Sequence, residues 1–164
     1  NRKKIMAMHT WFECKIRYEK VMENGMQKKV TEPYLVDALS FTEAEARIIE
    51  EMTPFISGEF TVSDIKRANY SELFPSDEES ADRWFKCKLI FITLDEKSGA
   101  EKKTSTQVLV QAADLRDAVK KLDEGMKGTM ADYQIGMVSE TPLMDVYPYS
   151  AEPNDKPEFD PAKS

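Results

Sequence analysis

Residues 12 to 18 alternate in character along the chain, with Phe12, Cys14, Ile16 and Tyr18 set against Glu13, Lys15, Arg17 and Glu19. A period of two is that of a strand with one buried face. The same alternation returns at Phe85, Cys87, Leu89 and Phe91. Glu23-Asn24-Gly25 and Lys97-Ser98-Gly99 follow as turn sequences that tolerate positive φ, and Val30 to Val36 and Thr106 to Val110 read as return strands. Each pair predicts a long antiparallel hairpin. Pro33 lacks a ladder donor, which predicts an edge position or a bulge there. The period then lengthens. Ser40-Phe41-Thr42-Glu43 is a capping-box pattern ahead of Ala44, Ile48, Ile49 and Met52 at helical spacing. Asp114 is placed to cap a second helix carrying Leu115, Ala118, Val119 and Leu122. A third strand is expected near Glu59 to Ile65 and again near Tyr133 to Val138.

The two runs of elements match residue by residue. Trp11-Phe12-Glu13-Cys14-Lys15 is echoed by Trp84-Phe85-Lys86-Cys87-Lys88 at an offset of 73. At an offset of 74 come Gly25/Gly99, Ala38/Ala112, Ala44/Ala118 and Met52/Met126, and the offset is again 73 for Glu72-Leu73-Phe74-Pro75 against Asp145-Val146-Tyr147-Pro148. The expected fold class is α+β: a tandem duplication of a β-β-α-β unit, forming one pseudo-twofold domain over residues 8–147. Copy one would cover 8–74, an acidic linker 75–82 and copy two 83–147. Residues 148–164 hold four of the eight prolines and no apolar period, so they read as a disordered acidic tail. His9 reads as a surface residue, and residues 1–5, ahead of Met6 and Met8, are set aside as a start-site artefact.

Composition narrows the chemistry. The 164 residues carry 23 Lys and Arg against 30 Asp and Glu, a net charge of −7, with one His and two Cys. A mean hydropathy of −0.55 and no long apolar run argue for a soluble, cytoplasmic protein without a membrane role. A disulfide framework, a structural metal site and a Ser-His-Asp triad all lack the residues they need. No glycine-rich phosphate loop is present, and the carboxylates of 43–51 mix helix faces, so neither a cofactor nor an enzyme is expected. Cys14 and Cys87 read as small core hydrophobes.

Charge is unevenly spread. Residues 83–112 carry a net charge of +3, whereas residues 138–164 carry −4. The alternation that buries Phe12 and Cys14 puts Trp11, Lys15 and Arg17 on the opposite face, and Trp84, Lys86 and Lys88 on its counterpart. Lys28, Lys29, Lys102 and Lys103 extend these faces along the hairpin arms. Aromatic rings beside cations on a sheet suit single-stranded nucleic acid, whose bases stack while phosphates pair with Lys and Arg. The alternative is that the helices cover this face, or that each Trp caps the core with lysine stems laid over it. The functional expectation is a non-enzymatic single-stranded nucleic-acid binder. Its competitor is a protein-interaction or inhibitor module, docking a partner through a sheet edge or acidic surface. The acidic tail reads as a solubilising segment, with engagement of a protein partner as the alternative, and unpaired edges invite homo-oligomerisation.

Trp11 to Lys15 and Tyr34-Leu35-Val36-Asp37-Ala38-Leu39-Ser40-Phe41-Thr42-Glu43-Ala44-Glu45-Ala46-Arg47 give a resemblance over about residues 8–147. The chain resembles a domain-of-unknown-function family of small proteins from Bacteroides-group bacteria and their phages. That resemblance carries no activity. It implies an intracellular, phage-related setting in which a replication or phage accessory factor is expected.

Overall fold

The computed structural model describes residues 4–149. Its elements run β1 (Thr10–Val21), β2 (Gln27–Ala38), α1 (Phe41–Met52), β3 (Phe60–Ala68), β4 (Glu72–Phe74), β5 (Arg83–Leu94), β6 (Glu101–Ala112), α2 (Leu115–Gly125), β7 (Asp132–Glu140) and β8 (Asp145–Tyr147). The fold is α+β, with eight strands in two sheets and two helices. Elements β1 to β4 are called half one below, and β5 to β8 half two.

Both hairpins form where the alternation places them. β1 pairs with β2 from Thr10↔Ala38 to Val21↔Gln27, and β5 pairs with β6 from Arg83↔Ala112 to Leu94↔Glu101. Gly25 and Gly99 sit at the tips with φ of 85° and 74°, a conformation that side-chain-bearing residues rarely adopt. Both helices start as their caps dictate. The Ser40 hydroxyl accepts from Glu43 N at 3.1 Å and the Asp114 carboxylate from Asp117 N at 2.8 Å. Glu43 and Asp117 close the box by accepting from Leu39 N and Ala113 N. Each helix lies on one face of its own sheet: Ala44, Ile48 and Met52 close over Phe12, Cys14, Ile16 and Val36, and Ala118, Leu122 and Met126 over Phe85, Cys87, Leu89 and Val110.

The last short strand of each half differs from the expected unit, because β4 and β8 are exchanged. β4 lies parallel to β6 of half two, and β8 lies parallel to β2 of half one. The sheets therefore run β3-β1-β2-β8 and β4-β6-β5-β7. A three-residue strand forms no sheet alone, but beside a long hairpin it satisfies one more row of backbone groups. Each half thereby completes the other's sheet. The long strands β3 and β7 keep their outer edges open among the described residues.

β2 is an inner strand with no bulge at Pro33, yet Pro33 stands where its far side is still unpaired. Its carbonyl accepts from Met144 N at 2.9 Å, on the β8 side. N–H and C=O of one strand residue point the same way, so its nitrogen also faces away from β1, where β8 has not yet begun pairing. The bulges fall between β1 and β3 at Lys15/Ile16, and between β5 and β7 at Lys88/Leu89.

The linker, Ile5, His9 and the start of the tail all depart from expectation. In the linker, Ala81 is buried, Ser76 N donates to Gln111 Oε1 at 2.9 Å, and Glu78 holds Lys121 at 2.7 Å. Ile5 bridges Leu73 with two backbone bonds of 2.7 Å, so a residue set aside as an artefact flanks β4. His9 is 22% exposed and its ring meets that of Tyr149 edge-on at 4.6 Å. The disordered tail was expected from residue 148, yet Pro148 and Tyr149 lie against half one, where Arg47 Nη2 donates to Pro148 O at 3.3 Å. The remaining positions of that expectation, 150–164, lie outside the described residues.

Candidate nucleic-acid interface

Trp11 and Trp84 stand on the sheet faces turned away from the helices, as their parity requires. Those faces do not meet solvent at that end. Trp11 is 1% exposed and Trp84 5%, and both belong to one buried cluster with Leu35, Leu109, Leu73 and Val146. Leu73 and Val146 come from the exchanged strands, beside Leu109 and Leu35 respectively. The two outer faces therefore cover each other. Neither indole can stack a base, which removes Trp11 and Trp84 from the expected site. The reason lies in the pairing of halves: two flat apolar ends gain more by excluding water from each other than by facing it. The Trp11 indole Nε1 has no hydrogen-bond acceptor among the described residues.

Farther along the hairpins the outer faces carry the expected cations. Lys15, Arg17 and Lys29 share the outer face of sheet one, and Lys86, Lys88 and Lys103 that of sheet two. Lys28 and Lys102 are opposite Lys20 and Thr93 and so lie on the helix-side faces, apart from the others. The ten expected residues thus divide into two buried rings, two sets of three cations and two lysines facing elsewhere.

The two sets sit in different electrostatic surroundings. On sheet one, Lys15 is in register with Asp64, Glu13 with Lys66, and Lys29 with Glu19, so each of these charges has an opposite one across the ladder. Arg17 and Lys29 also line a recess of about 550 Å³ together with Glu19 and Glu59. On sheet two, Lys86 lies between Leu109 and Ser139, Lys88 between Gln107 and Met137, and Lys103 beside Ile92. No acid is in register with any of these three lysines, and none makes an ion pair among the described residues. Ile90 and Ile92 continue that face, and acids enter only at its far end, with Asp132 and Glu101.

One family model covers most of the chain. The model described as "Domain of unknown function (DUF4494)" matches residues 10–149. The chain belongs to this family. No curated protein and no solved structure matches it. The matched span takes in every element of this DUF4494 domain, from β1 to β8.

Other chemistry in the domain is muted. Cys14 and Cys87 are fully buried, and burial pushes both thiols up to about 12, far from the thiolate a nucleophile needs. Among the described residues no three His, Cys, Asp or Glu converge as a metal site, and no helix is long and apolar enough to cross a membrane.

Two polar centres went unnoticed in the sequence. Asp37 is buried and accepts from Met8 N at 2.7 Å and His9 N at 3.0 Å, while Arg47 donates to its carbonyl. Lys121 is 2% exposed and bonds both Asp117 and Glu78 at 2.7 Å. Burial opposes its charge, but the two carboxylates override that and raise its pKa. The hydrogen bond from Lys121 holds the Asp117 carboxyl below its ordinary range. The four-residue spacing from Asp117 to Lys121 was a visible signal for that pair; nothing in the sequence connected Glu78 to it. Both centres tie chain segments to a helix.

Proposed function

We propose that this protein is a non-enzymatic nucleic-acid-binding protein whose outer face of sheet two holds a single strand. Lys86, Lys88 and Lys103 contact phosphates, and Ile90, Ile92 and Met137 offer an aliphatic floor for unpaired bases. One observation carries the reading: three lysines with no acid in register share a face in a chain of net charge −7. Sheet one contributes less, because acids stand in register with Lys15 and Lys29. Binding through lysines alone is salt-dependent and tolerant of sequence. The setting that accompanies this reading is cytoplasmic, in Bacteroides-group bacteria or their phages, with a replication or accessory role. The offsets of 73 and 74, the matching bulges and the reciprocal exchange of β4 and β8 support descent of the two halves from one duplicated unit.

The test is an anisotropy titration of labelled single-stranded DNA, single-stranded RNA and duplex at about 50 and 200 mM salt. Single strands should bind at the lower salt and release at the higher, and Lys88→Glu should weaken them. Absence of binding at low salt, or binding indifferent to Lys88→Glu and Lys86→Glu, would sink the proposal.

A second reading rests on β7. Its residues 133–139 include no charge, Ile135 and Met137 are exposed, and its outer edge is open among the described residues, whereas the equivalent edge strand β3 carries Asp64, Lys66 and Arg67. Charges on an edge discourage pairing with foreign strands, and β7 has none at its centre. An extended segment of a partner protein would add there, making the domain an interaction or inhibitor module. Retention of a partner from source-cell lysate by the native chain, lost with Ile135→Lys and kept with Lys88→Glu, distinguishes this reading from the first.

A further inference from the structure

The helix-side core of half one ends in a ring that half two lacks. Tyr34 is opposite Cys14 on the hairpin and Asp145 on the exchanged strand; Val108 is opposite Cys87 and Glu72 in the same two ways. The positions correspond by register. In half one the Tyr34 ring packs against the core beside Tyr147, at 6.2 Å between centroids, and its hydroxyl donates to Glu32 at 3.4 Å. In half two the smaller Val108 leaves a pocket of about 280 Å³, lined by Leu89, Phe91, Thr106, Val108, Met126 and Glu72. Thr106 holds the position of Glu32, being opposite Leu89 as Glu32 is opposite Ile16. Its hydroxyl has no hydrogen-bond partner among the described residues.

We infer that this pocket of half two binds a small single-ring phenol, seated where half one seats its own Tyr34 ring. The volume suits one ring, the walls are aliphatic and aromatic, and Thr106 offers the hydroxyl group its polar contact. The site lies on the helix side of sheet two, opposite the lysine face, so it stands independently of nucleic-acid binding.

The probe is p-cresol, the tyrosine side chain itself, titrated into the full chain labelled at methionine methyl groups. The Met126 methyl should shift saturably at millimolar concentration, as expected for so small a ligand, while the corresponding Met52 methyl stays unmoved. Val108→Tyr fills the pocket from within and should weaken binding at least about tenfold. Tyr34→Val should open the corresponding space, so that Met52 responds as well. A Met126 shift that fails to saturate, equal responses of Met126 and Met52 in the native chain, or undiminished binding by folded Val108→Tyr would overturn the inference. If Val108→Tyr does not fold, the native-chain comparison of the two methyls decides alone.

Discussion

Half one and half two share strand order, hairpin register and bulge position, yet they hold their helices and use their surfaces differently. Half one secures α1 with Arg47, which donates to the carbonyls of Asp37 and Pro148 and lies over the Tyr149 ring at 5.9 Å. Half two has Lys121 at the corresponding place, held by the carboxylates of Asp117 and Glu78. Half one fills its core with Tyr34 and sets acids in register with Lys15 and Lys29; half two leaves a pocket at Val108 and three lysines with no acid in register. The backbone plan requires only apolar inward positions, caps and turns, and both halves meet that demand. Positions outside it are free to diverge, so differences between equivalent positions point to chemistry beyond folding.

The largest expected effect concerns what the halves share. Truncating a buried Trp removes transfer energy and leaves a cavity, so Trp84→Ala and Trp11→Ala should each destabilise the fold by about 3–5 kcal/mol in denaturant unfolding. Trp11→Phe should cost less, since it also deletes the unpartnered indole N–H. A Trp84→Ala protein of native stability would restore the solvent-facing reading of that ring.

Next in size is the helix anchor. Lys121→Ala should cost about 2 kcal/mol, below the range for a fully buried pair because Glu78 is mostly exposed. The pH dependence follows from the shift directions. Asp117 is lowered on folding, so its contribution is present above its unfolded pKa and lost as pH falls through the folded one. Lys121 is raised, so its contribution is complete below its unfolded pKa and lost only as pH rises through the folded one. Arg47 has carbonyl partners that do not titrate. Amide exchange measured below about pH 4 should therefore show α2 losing protection before α1; simultaneous loss would break the comparison.

A smaller effect separates the helix ends. A Cβ at Gly125 would stand 2.7 Å from the buried Phe74 ring, whereas the corresponding residue of α1 is Glu51. Gly125→Ala should destabilise by about 1–2 kcal/mol despite its better helix propensity, and Glu51→Ala should stay within about 0.5 kcal/mol. Thermal unfolding of the two variants checks this. The smallest effect on stability, and the sharpest on function, is at the lysines. Lys88→Glu should leave the melting temperature unchanged and reduce the salt slope of oligonucleotide binding by about one, whereas Lys15→Glu, with Asp64 in register, should change it less.

Much of this architecture was legible in the chain. The alternations at Phe12 and Phe85 marked both hairpins, Gly25 and Gly99 marked their tips, and Ser40 and Asp114 marked the helix starts, because periodicity, turn chemistry and capping are local. The candidate site was less legible. Parity correctly put Trp11 with Lys15 and Trp84 with Lys86, but parity says which residues share a face and nothing about what that face meets. It also could not separate Lys28 and Lys102 from the set without the hairpin register.

The sequence by itself determined the α+β class, the two matching runs of elements and the inward residues of each strand and helix, since these follow from interactions between near neighbours. Only the tertiary structure decided that β4 and β8 change sheets, that the tryptophan faces close on each other, and that Glu78 reaches Lys121. Those outcomes depend on contacts between residues far apart in the chain, where burial and charge pairing are set by how complete surfaces fit, and no local period records that fit.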